Sequence, residues 1–565
     1  MNCVFNQFLH SCLTTTRKSN EHAEHERAML EAKSQSQPGE PLLRDNKWLR
    51  FCLGILVLKF VLFGLDSFPK FFGGDSRCYL WTALSGWIPE DRSFLYGYVI
   101  RWVALSTSTL TSLLVLQVLA GAIIAIVSTW ICLRIFELPR WIAFIVGLLC
   151  CLDPIQLYWE RAVMTETLSL LFYVLLLQVS FCYLKTKRIR DLLLIQLIAI
   201  LMLTFRMSYL ILVYVVTVAL PLMAFWPWGR RYNWKDCAFN WLKKPALGVL
   251  ARPAAHCFVS VATMYVLHSS YQHINGSLSH REPRYLYVTG TYLLSFWAPA
   301  LKPSDAPNSR LAEVIRQGNT FSINQLKLRS SQLYLKGFLI DKLNEIEPNR
   351  RRAERLARET ALRALKRDPL AIARLGWQTY LEFWLRGVHA WARPDVPTSG
   401  QWSELDIAAF GLTERFHQVV IPKNVRQPIT FLAWYYFAAE WYYYVVLLSP
   451  VILGILVVLG RTIRRYLVFL FLNQTVLFVT TFTLSVRPVV RYLEPLSLIT
   501  LLTFAAAAKC FMDRKHKLGS RGQKAARWPL HDEVIRTSSS LDQAGGQANN
   551  LEFASSEMCQ RLQRC

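Results

Sequence analysis

Apolar runs of bilayer length recur along this chain, and no other feature narrows its fold so sharply. Ten can be read, at 48–65, 109–133, 141–153, 167–184, 191–205, 207–225, 254–268, 440–459, 466–485 and 489–508. A hydrocarbon layer about 30 Å thick takes about 20 helical residues to cross, and within it every backbone polar group must be satisfied inside its own segment. The expected fold class is therefore an all-α polytopic membrane protein of about ten transmembrane helices, with interfacial helices and a mainly helical extracytoplasmic domain. The fifth and sixth runs are separated by little more than Arg206-Met207-Ser208.

Charge sets the expected topology. Hydrophobic residues make up 53% of the 565 and charged ones 18%, too little charge for a water-soluble chain of this length. The net charge of +26 invites a nucleic-acid reading, yet many of its lysines and arginines crowd into short connections beside the apolar runs. Lys185-Thr186-Lys187-Arg188-Ile189-Arg190, Arg230-Arg231 with Lys243-Lys244, Arg461 with Arg464-Arg465, and Lys509 with Arg514-Lys515 all fall on one side. Basic loops stay in the cytoplasm, so that side is cytoplasmic and holds both termini. The expected partners are membrane lipids and a lipid phosphate, with no nucleic acid. The first 47 residues are polar and lack the apolar core of a cleavable signal, while 48–65 is long enough to act as an uncleaved anchor. Thirteen cysteines are scattered without Cys-x-x-Cys or Cys/His metal spacing, which supports neither a disulfide framework nor a zinc site.

These signals divide the chain into a cytoplasmic polar tail (1–47), seven helices with outer loops (48–268), an extracytoplasmic domain (269–433), three more helices (434–508) and a disordered cytoplasmic tail (509–565). The domain is too long and too polar for a connection. Within it, 349–366 carries Ala353, Leu356, Ala357, Thr360, Ala361, Ala364 and Leu365 near helical spacing, and Pro369 stops it. An aromatic helix with Trp377, Tyr380, Phe383 and Trp384 follows, suited either to a membrane surface or to core packing. In loop 66–108 the stretches 77–88 and 92–105 are amphipathic, as helices in the headgroup layer are. Asn275-Gly276-Ser277 fits an N-glycosylation acceptor.

The outer side collects acids and arginines at helix ends, where a membrane protein seldom keeps charge without a use. Asp75 follows Gly73-Gly74 and precedes Ser76. A carboxylate on such a turn can take the proton of an attacking hydroxyl or hold a divalent metal (Mg or Mn); it equally suits a helix cap. Glu166, in Thr165-Glu166-Thr167, opens the fourth run as a second candidate acid or metal ligand, against a plain role at the helix dipole. Arg161 is a candidate substrate or phosphate ligand, or a partner of Glu160, and Asp153-Pro154 offers an alternative acid in the same loop or, in the plainer reading, a helix stop. Arg487-Pro488-Val489-Val490-Arg491-Tyr492 opens the last run, where two guanidinium groups suit a phosphate or act as interfacial anchors. Arg206 ends the fifth run as a further phosphate candidate, and Glu494 is spaced to pair with Arg491. His389 and His417 could face a substrate, but no histidine has metal-type spacing. No Walker loop, Gly-x-Ser-x-Gly or nucleotide-binding glycine pattern is present, which argues against a soluble nucleotide donor.

Together, Gly73-Gly74-Asp75-Ser76, Arg161 with Thr165-Glu166-Thr167, Arg206, a large outer domain and a late Arg491-Tyr492 resemble the C-type-fold glycosyltransferases. That polytopic group includes protein O-mannosyltransferases and lipid A aminoarabinose transferases. The likeness covers about residues 48–508 in layout, and Ser76 stands where many O-mannosyltransferases carry a second acid. The resemblance implies a multi-pass enzyme of the plasma (inner) membrane with an extracytoplasmic site. It would move a hexosyl or pentosyl group from a polyprenyl-phosphate sugar to a lipid, glycan or protein acceptor, with inversion. It also implies Asp75 as general base or metal holder, Arg487, Arg491 and Arg206 with Tyr492 at the lipid phosphate, and Glu166 with Arg161 positioning acceptor or phosphate. Two alternatives stand beside it. A lipid-linked polysaccharide ligase or polymerase would rest on outer-domain arginines and a histidine. A transporter or flippase of a lipid-linked sugar would show two related halves and charges near mid-membrane.

Overall fold

The computed structural model describes residues 46–72, 75–226, 247–385, 431–485 and 489–515. The tails 1–45 and 516–565, Gly73-Gly74, the pairs Arg230-Arg231 and Lys243-Lys244, the segment 386–430 with His389 and His417, and Arg487 lie outside the described residues. The described chain is mostly helical, and its β pairing is an isolated parallel bridge between Lys70 and Ala162.

The first bundle comprises α1 (Asn46–Leu65), the short α2 (Asp75–Ser85) and α3 (Leu95–Ile100), α4 (Thr111–Arg134), α5 (Arg140–Cys151) and α6 (Pro154–Trp159). It continues with α7 (Glu166–Thr186), α8 (Ile189–Phe205), α9 (Leu210–Phe225) and α10 (Leu247–Ser279). A helical insert follows, made of α11 (Thr289–Phe296), α12 (Ser309–Arg316), α13 (Arg329–Tyr334), α14 (Leu339–Ile346), α15 (Arg350–Arg367) and α16 (Pro369–Glu382). Then come α17 (Phe431–Ala438), α18 (Glu440–Leu459), α19 (Arg464–Thr483) and α20 (494–515), the last entered through a 3₁₀ turn, Val490–Leu493.

Seven helices among the described residues are long and apolar enough to cross a membrane: α1, α4, α7, α9 with its leading turn, α18, α19 and α20 with its turn. The chain is thus an all-α, multi-pass membrane protein. Helices α5 and α8 lie on two further apolar runs but have only 12 and 17 residues. Helix α10 passes through the run at 254–268 and continues to Ser279, so the insert starts beyond it. Between α8 and α9 the backbone of Arg206 is extended (φ −147°, ψ 108°), which makes two helices of the adjoining runs.

Burial sorts the helices. Two thirds of the apolar window of α4 is buried (67%) against 22% for α1, whose Leu49, Leu53, Val57 and Val61 face outward as lipid-facing residues do. Close approach of α5 to α4 is possible because Gly147 lies against Thr129 and has no side chain of its own. The helices alternate in direction, which sorts their charges by end. Arg465 at the start of α19 donates to the Leu184 carbonyl (3.4 Å), and the Lys187 ammonium stands over the Phe225 ring (5.1 Å). Those basic residues therefore occupy one end of the bundle, while Glu166, Arg206 and Arg491 meet at the other.

The insert has its own core of Leu294, Leu311, Ile315, Leu339, Leu343 and Ala357. Asn349 caps α15 by accepting from the Arg351 and Arg352 amides (3.1 and 3.2 Å), and Ala353, Ala357, Thr360, Ala361 and Ala364 are its buried face, as their spacing predicts. The aromatic helix α16 packs on the bundle through Tyr380, whose ring meets Phe478 and Phe482, while Trp377 stays exposed. Gly376 abuts Thr483, and the Trp297 indole donates to the Thr483 carbonyl (3.0 Å). Asn275 is buried and its amide donates to the carbonyls of Arg284 (2.8 Å) and Tyr285 (3.2 Å), so the nitrogen that would carry a glycan is engaged.

Candidate functional site

The two loops that carry the candidate acids are one unit. The Lys70 amide donates to the Arg161 carbonyl (2.7 Å), and the Val163 amide donates to the Lys70 carbonyl (2.9 Å). Ser76 extends the seam: its hydroxyl donates to the Val163 carbonyl (3.0 Å) and accepts from the Phe72 amide (2.9 Å). Beneath the seam lies a buried charge network. Glu160 binds Lys59 of α1 and, at 2.7 Å, Arg161; the Arg161 Nε donates to the Asp66 carbonyl (3.1 Å); Lys70 pairs with the Asp66 carboxylate (2.5 Å). Such a buried network fixes geometry more than it adds stability. Asp75 begins α2 and Glu166 begins α7, each just after this seam, so their separation is set by backbone pairing.

Both oxygens of Asp75 accept from arginine. Arg92 Nη1 donates to Oδ1 (2.8 Å), and Arg491 Nη1 donates to Oδ2. Arg92 is itself held by Asp91 through Nε (2.9 Å) and Nη2 (2.5 Å), and lies over the Tyr79 ring. Burial alone would raise the Asp75 carboxyl, but the charges of Arg491 and Arg92 outweigh it and hold it well below the usual carboxylate range. The Asp75 and Arg491 side chains are each 24% exposed, so this clamp opens to its surroundings.

A second charge group lies against the clamp and is closed. Arg206 pairs with Glu166 (3.6 Å) and Glu494 (3.8 Å), and both carboxylates are buried. Glu494 therefore meets Arg206 and not Arg491, the partner its spacing suggests. The two groups join through Tyr492: its ring faces Arg491 at 5.0 Å and Arg206 at 5.6 Å, and its hydroxyl accepts from Arg491 Nη2 (3.1 Å). Arg206 also donates to the Arg491 carbonyl (3.4 Å). The insert closes one side, where Tyr292 of α11 donates to Asp91 (3.1 Å) and Glu90 pairs with Arg281 (2.6 Å) and Arg350 (3.3 Å).

Of the residues singled out from sequence, Asp75, Glu166, Arg206, Arg491 and Tyr492 converge at this one place. Arg161 does not: it is fully buried in the network under the seam, bound to Glu160. At Asp153 the helix α5 has just ended, as expected, and Asp153 also caps α6: it accepts from the Ile155 and Gln156 amides (2.9 and 3.3 Å) and from the Ser497 hydroxyl. Arg92 was not legible. It shares its loop with Arg77 and Arg101, and nothing in the spacing marks which arginine turns back to Asp75. A divalent metal does not fit: the Asp75 carboxylate already faces two guanidinium groups, and no three His, Cys, Asp or Glu side chains among the described residues are grouped to hold one. No protein-family model matches the chain, and no curated protein matches it.

Proposed function

We propose that this protein is a membrane glycosyltransferase that takes a hexosyl or pentosyl group from a polyprenyl-phosphate sugar and passes it, with inversion, to a lipid, glycan or protein acceptor. The observation that carries the reading is the partly open Asp75 carboxylate between Arg92 and Arg491, backed by Arg206. This pairs a base with cations at one helix end, the combination that transfer from a lipid phosphate requires. Asp75 takes the proton of the acceptor hydroxyl as its oxygen attacks the anomeric carbon. The bond from that carbon to the phosphate oxygen breaks on the opposite face, and the electron pair leaves with the phosphate. Arg491 and Arg92 stabilise the growing phosphate charge, an effect that is strongest where water is excluded. Glu166 and Glu494 orient Arg206, and the Tyr492 ring spaces the two arginines.

In this account ten helices cross the plasma (inner) membrane, both termini are cytoplasmic, and the site and the helical insert are extracytoplasmic. The basic residues gathered at the far end of the bundle from Asp75 support that orientation. The layout likeness to the C-type-fold glycosyltransferases over 48–508 supports it too. A rival, a carrier of a lipid-linked sugar, draws on one observation: the fully buried pair of Lys59, on the apolar helix α1, with Glu160 of the loop after α6. Purified full-length protein, reconstituted with labelled prenyl-phosphate sugars and candidate acceptors, separates the two. A transferase yields a covalent sugar product and free prenyl phosphate; a carrier moves intact donor across the vesicle and yields neither.

A further inference from the structure

With both of its oxygens paired to guanidinium groups, Asp75 is a poor base towards an acceptor hydroxyl. The two arginines are not held alike. Arg92 is fixed from behind by two bonds to Asp91, and Asp91 is anchored by Tyr292 (3.1 Å). Arg491 is held less fully: apart from Asp75, its guanidinium donates to the Tyr492 hydroxyl (3.1 Å), and its buried Nε has no hydrogen-bond partner. A partly exposed guanidinium with a donor to spare, beside a second arginine already in place, is an anion site whose capacity Asp75 does not use up.

We propose that Arg92 and Arg491 form an anion site whose resting occupant is the Asp75 carboxylate, and that the phosphate of a lipid-linked ligand displaces it, so that phosphate binding is what frees Asp75. The identity of the ligand as a lipid phosphate rests on the function proposed above; the exchange itself rests on the clamp. A phosphate offers more acceptor sites than a carboxylate and can engage the spare Arg491 Nε along with both arginines. Its arrival replaces two cations beside Asp75 with an anion, which strengthens that carboxylate as a base. Donor therefore binds before acceptor is activated. Coupling of two occupants at one site is reciprocal, so a neutral residue at 75 must tighten phosphate binding.

Farnesyl phosphate binding to the full-length protein in nanodiscs tests this by calorimetry. Asp75→Asn should bind about tenfold or more tightly than wild type, and Arg491→Ala should lose most of the affinity. If wild type binds in an Arg491-dependent way but Asp75→Asn binds no more tightly, the exchange is wrong. If no binding depends on Arg491, the lipid-phosphate reading itself fails. A second measurement needs no variant. A hydrophobic carbodiimide reacts with protonated carboxyls, so clamped Asp75 resists it, and farnesyl phosphate should raise labelling at Asp75 as read by mass spectrometry. Unchanged or reduced labelling at saturating ligand overturns the exchange. Equal labelling with inorganic phosphate at the same concentration supports the exchange and overturns the lipid as its ligand.

Discussion

Asp75 and Arg491 are 416 positions apart in the chain and form an ion pair. The pair closes the entrance of the last helix onto the loop that follows the first. It joins the two ends of the membrane region at the point where the other site residues also meet. Its consequences differ for affinity, for stability and for catalysis, and each can be measured separately.

Arg491→Ala should lower kcat/KM by about 10²-fold or more, because the developing phosphate charge loses its main donor. Arg491→Lys should recover only part of this, since an ammonium cannot reproduce a two-point guanidinium contact. Arg92→Gln should weaken donor binding in the same direction. Steady-state kinetics with a prenyl-phosphate sugar checks all three, and wild-type constants in Arg491→Ala would reduce that residue to an interfacial anchor.

Arg206→Ala should cost stability before it costs chemistry. It strands two buried carboxylates, Glu166 and Glu494, and loss of one partner from such a group costs about 3–5 kcal/mol. Adding Glu494→Gln should restore part of the loss. Thermal unfolding in detergent reads both, and a double variant no more stable than Arg206→Ala would show that Glu494 is not held by that charge.

The network under the seam should respond unequally to its members. Glu160→Gln leaves Lys59 and Arg161 buried without their shared carboxylate, whereas Lys59→Met leaves Glu160 still bound to Arg161. The first should be the more destabilising by a few kcal/mol, on the order of the loss expected for a broken buried pair. Equal effects in thermal unfolding would mean that the Lys59 contact alone matters.

Acid should remove the clamp on Asp75. Its folded carboxyl lies below the unfolded value of about 3.9. The stability it adds is therefore present above that value and is lost as pH falls through the folded one. Wild type should unfold at a higher temperature than Asp75→Asn by a constant margin above about pH 5, and the margin should shrink below about pH 4. A margin that grows in acid would reverse the assigned direction.

Much of the fold was legible because apolarity is local. The seven membrane-length helices and α15 could be read from runs and spacing, and Pro369 opens the next helix where the first stops. What was not legible depends on partners far along the chain. Arg161 sits beside Glu160 in sequence, and only the arrival of Lys59 and the 66–70 segment turns both inward. Glu494 is one turn from Arg491, but the tight 3₁₀ turn and the approach of Arg206 from another helix end give it a different partner. Arg92 is the same case, since its tie to Asp75 depends on how the loop folds back.

The orientation of the bundle decides whether Asp75 faces the right compartment. Single cysteines near Asp75 and Thr165 should label from outside the cell with an impermeant reagent, and ones near Lys187 and Arg464 should not. Outside labelling near Lys187 would place the acids in the cytoplasm and remove access to an extracytoplasmic acceptor.

The central claim is that Asp75 acts as the base, and Asp75→Asn tests it most directly because it keeps size and hydrogen bonding while removing the charge. Transfer by the purified variant and donor affinity should be measured on the same reconstituted sample. The account predicts that turnover falls by about 10²–10⁴-fold, the usual cost of losing a general base, while donor affinity tightens. Near-wild-type turnover with donor bound would contradict it and leave Asp75 as a structural counter-ion for Arg92 and Arg491.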